Sequence, residues 1–115
     1  MPNEIDVLLP LNPRTFYVLL CLAEEDRHGY AISKAIEAIT DGAVRLTPGT
    51  LYPLIRQLLV DGWIVELPED AEDPRRRRYR LSAFGKRIAQ AEARRLDALV
   101  RVARSFHLLP AGSRA

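Results

Sequence analysis

The chain has 115 residues, 48% hydrophobic and 28% charged, with a formal net charge of +2, which suits one domain and hardly leaves room for two. No apolar run approaches the roughly 20 residues that span a bilayer, and the opening Met1–Asp6 lacks a basic stretch, so neither a membrane protein nor a secreted one is expected. One cysteine cannot form an internal disulfide and, with only two histidines, cannot furnish a structural zinc site; the expectation is a cytoplasmic protein with no cofactor and no metal.

Charge is unevenly distributed. Up to Asp41, seven acidic residues face three basic ones, whereas from Gly42 onward fourteen basic residues, all but Lys86 arginine, face eight acidic ones. An arginine-rich half points to a polyanion, because the planar guanidinium donates two hydrogen bonds at once to phosphate. Solvated helix faces carrying charge for solubility are the plainer reading, and composition alone does not separate the two.

Residues 1–12 carry Pro2 and Pro10 and read as an irregular arm with room for one helical turn. Pro13 suits the first turn of a helix, and Phe16, Leu19, Leu20 and Ala23 then keep helical spacing. Glu24–Arg27 makes a polar break. A second helix is predicted from Gly29-Tyr30 to Thr40, with Ile32, Ala35, Ile36 and Ile39 inward and Gly42 as a left-handed cap. Val44 and Leu46 alternate with their neighbours, so a very short strand is expected there.

The third helix is marked by Thr47 as cap and Pro48 at its first position. Leu51, Leu54, Ile55, Leu58 and Leu59 form its apolar stripe, and Gly62 ends it. Pro53 removes the bond to the Gly49 carbonyl, so a tight or slightly bent first turn is expected. Strand formers at 63–67, a charged loop at Pro68–Arg76 and the alternating Arg77–Leu81 predict a hairpin. Ser82 then caps a long helix reaching about His107. The fold class expected is mainly α (α+β): a winged helix-turn-helix at 13–81 followed by a dimerisation helix and tail at 82–115.

No chemistry of an enzyme is legible. Cys21 falls in an apolar helix, where a small thiol commonly serves packing. His28 and His107 sit at helix ends, and neither a phosphate-cradling glycine loop nor a motif-spaced carboxylate pair occurs. The third helix is more informative. With its leucines inward, Thr47, Thr50, Tyr52, Arg56 and Gln57 are expected toward the other side, within reach of phosphates or base edges. The wing adds Arg75, Arg76, Arg77 and Arg78, able to enter a minor groove or bind backbone, although Glu69, Asp70, Glu72 and Asp73 precede them. Along the last helix Ile88, Leu96, Leu99, Val100, Ala103 and Phe106 keep an apolar stripe over about 39 Å, longer than a winged domain covers. A second copy of the chain is its simplest partner.

The segments His28-Gly29-Tyr30-Ala31-Ile32, Thr47-Pro48-Gly49-Thr50-Leu51-Tyr52-Pro53, Asp61-Gly62-Trp63-Ile64 and Arg78-Tyr79-Arg80-Leu81-Ser82 resemble the PadR family of bacterial transcriptional regulators, over roughly residues 9–110. The resemblance implies a homodimeric winged-helix repressor that binds DNA, with the third helix in the major groove and the wing on flanking backbone; two such helices related by a dyad predict an inverted-repeat operator. It implies Thr50, Tyr52 and Arg56 on the reading face, and His28-Gly29-Tyr30 opening the supporting helix. The chain looks like the short subgroup with a single C-terminal helix. A small-molecule effector is implied by some members, but here that helix carries only Phe84 and Phe106 as aromatics, so stacking on tryptophan does not carry over. The rival reading is a winged-helix interaction module that never touches DNA.

Overall fold

A computed structural model describes residues 3–68 and 76–110. A 3-10 turn at Asp6–Leu8 leads into α1 (Pro13–Glu24), β1 (Arg27–His28), α2 (Gly29–Ile39), α3 (Pro48–Val60), β2 (Ile64–Glu66), β3 (Arg78–Leu81) and α4 (Ala83–Ser105). The three strands form one antiparallel sheet in the order β1-β3-β2, with Ile64 opposite Leu81, Glu66 opposite Tyr79 and Arg27 opposite Tyr79 from the other side.

Local sequence accounts for most boundaries. Asn12 caps α1 by accepting from the Arg14 N–H at 2.9 Å, with Pro13 following. Gly42, at φ +79°, closes α2 by donating to the Glu37 carbonyl at 2.8 Å, the wrap-around bond of a left-handed cap. The first turn of α3 is tight: the Thr47 carbonyl accepts from both Thr50 N (3.0 Å) and Leu51 N (2.8 Å). The helix continues through Pro53. Gly62, at φ +77°, ends it, and Trp63 N returns to the Leu58 carbonyl at 2.9 Å.

Two expectations are corrected. No strand forms at 44–46; Leu46 is buried and Val44 half-buried because the segment is the turn of the helix-turn-helix, seated on the core. The third strand is instead Arg27–His28, starting at the last residue of the expected polar break, because the edge of β3 needs a partner for its backbone groups. Thr47 stands at the N-cap of α3, but its hydroxyl makes no capping bond and lies 3.4 Å from the Thr50 hydroxyl.

The core gathers Val18, Leu19, Leu22, Ile32, Ile36, Leu51, Ile55, Leu58, Ile64, Tyr79 and Ile88, with Cys21 buried among them. Ile5 and Leu11 of the N-terminal arm are buried there too. The buried positions of α4 are Gly85, Ile88, Ala89 and Glu92. Gly85 is fixed by contact: a Cβ on it would stand 1.9 Å from the Trp63 carbonyl oxygen. Ser82 seals this junction, its Oγ donating to the Gly62 carbonyl at 2.6 Å and accepting from Gly85 N at 3.0 Å. Beyond Glu92 the helix runs on for about 20 Å to Ser105, and the chain turns off at His107, a non-glycine residue at φ +61°.

Candidate nucleic-acid interface

The outward side of α3 follows from its inward one. With Leu51, Ile55 and Leu58 buried, Thr50, Arg56 and Gln57 are exposed, as is Thr47 at the N-cap. Between them run Gly49, Pro53 and Val60, also exposed, a ridge the sequence reading did not single out. Arg56 makes no hydrogen bond or ion pair among the described residues, whereas Gln57 Nε2 donates to Asp61 Oδ1 at 3.0 Å.

Tyr52 departs from expectation. It is half-buried and packs against the core, because the sheet passes beside its side of α3. There Tyr52, Ile55, Arg56, Leu59, Glu66, Arg77 and Tyr79 line a notch of about 250 Å³ between helix and wing. Burial pushes the Tyr79 phenol up, and the Glu66 carboxylate adds to the effect. The notch brings Arg56 of α3 and Arg77 of the wing to one place.

Of the wing arginines, Arg76 is exposed, Arg77 and Arg78 are half-buried, and Arg75 lies outside the described residues, as do Glu69, Asp70, Glu72 and Asp73. The wing is tied to the helices through residues 26–29. Gly29 N donates to the Arg77 carbonyl at 3.2 Å. Asp26 Oδ2 accepts from Arg80 Nη2 at 2.8 Å and stands 3.9 Å from Arg78 Nη2. The hydrogen bond from Arg80 holds the Asp26 carboxyl below its usual range. Nothing in the run Glu24-Glu25-Asp26 marks the third acid for this role, which depends on a strand 50-odd residues away.

On α4, Ile88 is fully buried in the protomer's own core and so stands apart from the rest of the stripe. Leu96, Val100 and Ala103 are half-buried, while Leu99 (56%) and Phe106 (71%) are exposed, together with Val102, Leu108 and Leu109. Glu92 sits on the same face at 2% exposure. It accepts from Leu11 N at 3.2 Å and from Arg95 at 2.6 and 3.0 Å, and the Arg95 bonds hold its carboxyl low. A carboxylate on an apolar stripe with arginine three residues on is a signal the sequence did contain.

Among the described residues no cluster of His, Cys, Asp and Glu could hold a metal ion, and no helix is long and apolar enough to cross a membrane. A helix-turn-helix followed by a β2–β3 wing, hung from a third strand, defines a winged-helix protein. The sequence model of the PadR-like transcriptional regulator family matches residues 18–91, and the chain belongs to that family. As a member of a family of transcriptional regulators it is not an enzyme. A transcriptional regulator from Clostridium thermocellum superposes with a TM-score of 0.67 at 28% identity, over 80% of this chain and 90% of that one. A PadR family regulator from Eggerthella lenta does so at 0.62 and 26%, over 86% of each. One from hypervirulent Clostridium difficile matches in fold at 0.67 with 21% identity, over 83% of this chain and 98% of that one. No curated protein matches the chain closely enough to count as a relative.

Proposed function

We propose that this chain is a sequence-specific DNA-binding transcriptional repressor of the cytoplasm, acting as a homodimer on an inverted-repeat operator and released by a small-molecule effector. The observation that carries the reading is the shared notch: Arg56 on the outward side of α3 and Arg77 at the wing border one 250 Å³ space. Groove-reading helix and backbone-holding wing then act on the same stretch of duplex. Thr47, Thr50 and Gln57 extend the α3 surface, Tyr52 supports it from beneath, and Arg76 and Arg78 extend the wing, with Arg75 a further candidate from the sequence alone.

The bare stripe of Leu96, Leu99, Val100, Ala103 and Phe106 supports self-association, since helical apolar surface of this length needs a covering helix. Two α3 helices related by a dyad read half-sites about 34–36 Å apart. Repression follows from occupying the promoter. The test is footprinting on the region upstream of the chain's own coding sequence, after retention on random duplex at low salt. A protected, symmetric site is expected. Absence of any duplex binding at low salt overturns the reading in favour of a protein-docking module.

A further inference from the structure

Between the start of α1 and the turn joining α2 to α3 lies a cleft of about 480 Å³, lined by Asn12, Pro13, Arg14, Tyr17 and residues 43–46. No carboxylate lines it. The Arg14 guanidinium is exposed and makes no hydrogen bond or ion pair among the described residues; its backbone N–H alone is engaged, by Asn12. Arg45, on the far wall, keeps 71% of its side chain exposed; its guanidinium lies beside Gly42, with Glu37 at 3.9 Å and Asp41 lining the same hollow. It reaches the cleft by turning away from a surface pairing that water and salt readily loosen. Arg45 also precedes Thr47 by two residues, so its Cα lies within about 7 Å of the start of the α3 surface.

The geometry points to a phosphate-binding cleft that holds the DNA backbone: Arg14 and Arg45 grip the sugar–phosphate strand bordering the groove that α3 enters, on the N-terminal side of that helix. The site rests on the DNA-binding reading and adds a second point of grip, on an element other than the wing. Its form favours a polyanion over a free phosphate. The cleft is open, its cations stand apart on two walls, and it adjoins the α3 surface. Separated exposed arginines suit a continuous row of charges from which counterions are released, and each guanidinium can take a phosphate oxygen pair bidentately.

The experiment titrates the full-length protein with its footprinted operator and with random duplex from 50 to 200 mM salt. Arg14→Gln, Arg45→Gln and the double variant are compared with Lys86→Gln, which removes one positive charge on α4 outside the cleft. Each lost phosphate contact lowers the slope of log K against log salt by about 0.9, so the affinity lost over this salt range shrinks by about 3.5-fold per arginine. The loss is expected equally on operator and random duplex, since the contact carries no base preference, and Lys86→Gln is expected to keep the wild-type slope. Wild-type protein that binds its operator while the cleft variants match Lys86→Gln overturns this site and leaves the DNA reading standing. Inorganic phosphate shifting the Arg14 and Arg45 side-chain NMR signals, with duplex binding unchanged in the variants, overturns it in favour of a free-anion site. Wild-type protein that binds no duplex removes both.

Discussion

Arg80 grips Asp26 with both arms: its Nε and Nη2 lie 3.1 and 2.8 Å from the two carboxylate oxygens, joining β3 to the residue that precedes β1. The pair fixes the wing strand to the segment that opens α2. Residues 26–29 thereby set the angle between wing and helices, with the Gly29–Arg77 backbone bond as the second tie.

Asp26→Asn is expected to lower the melting temperature at neutral pH and to raise amide exchange along β3. Arg80 depresses the Asp26 pKa in the folded state, so its stabilisation is present above the ordinary carboxylate range and is lost as pH falls through the depressed value. Melting curves of wild type and variant should therefore converge in acid. Parallel curves at every pH would remove the ion pair from the wing's support.

Gly85→Ala is expected to destabilise although alanine is the better helix former. The helix gain is about 1 kcal/mol, but the new Cβ would stand 1.9 Å from a backbone oxygen that cannot rotate away. A net loss of about 1–3 kcal/mol is expected from the overpacking, read by urea denaturation. A stabilised variant would mean that α4 can lift off the Trp63 carbonyl without cost.

Arg56→Ala is expected to weaken operator binding by about 1–3 kcal/mol with little change in fold stability. Tyr52→Ala should lose both binding and stability, since the ring packs on the core. Tyr52→Phe separates the two: it keeps the packing and loses only the hydroxyl. Gel-shift titration beside thermal melting reads each case, and wild-type affinity in Arg56→Ala would take that side chain off the reading face.

Leu99→Glu with Phe106→Glu is expected to yield a monomer that keeps its winged domain, because both side chains are exposed in the protomer. Light scattering after gel filtration checks the mass, and circular dichroism checks the fold. An unchanged mass would assign assembly to another surface.

Glu92→Ala should cost about 1–3 kcal/mol through the orphaned Leu11 N–H. Glu92→Gln, which keeps an acceptor for that N–H, should cost less. Equal losses in the two variants, measured by chemical denaturation, would place the effect in the Arg95 pairing instead.

Helices were legible because their signals are local. Pro13 with Asn12, Pro48 with Thr47, Gly42 and Gly62 mark boundaries within one turn of where they fall, and leucine spacing marks the buried sides. What stayed hidden depends on distant chain. β1 is two residues long and exists only because β3 arrives beside it. Val44 and Leu46 alternate like a strand but serve as the seat of a turn. Tyr52 has the spacing of an outward residue, yet the sheet closes over that flank. Gly85 reads as a weak helix position until the Trp63 carbonyl is seen against it. On the candidate interface, Thr50, Arg56 and Gln57 are exposed as the stripe predicts, while the anchoring acid Asp26 had no local mark at all.

The joint at Gly62, Ser82 and Gly85 leaves no slack between the recognition segment and the long helix. With the serine hydroxyl bonded on both sides and no room for one extra carbon, α4 moves with the wing domain as a stiff lever. A tilt of about 10° at that pivot displaces the far end, some 35 Å away, by about 6 Å. In the proposed dimer, a modest rearrangement where the two levers meet would re-space the wing domains without bending either one.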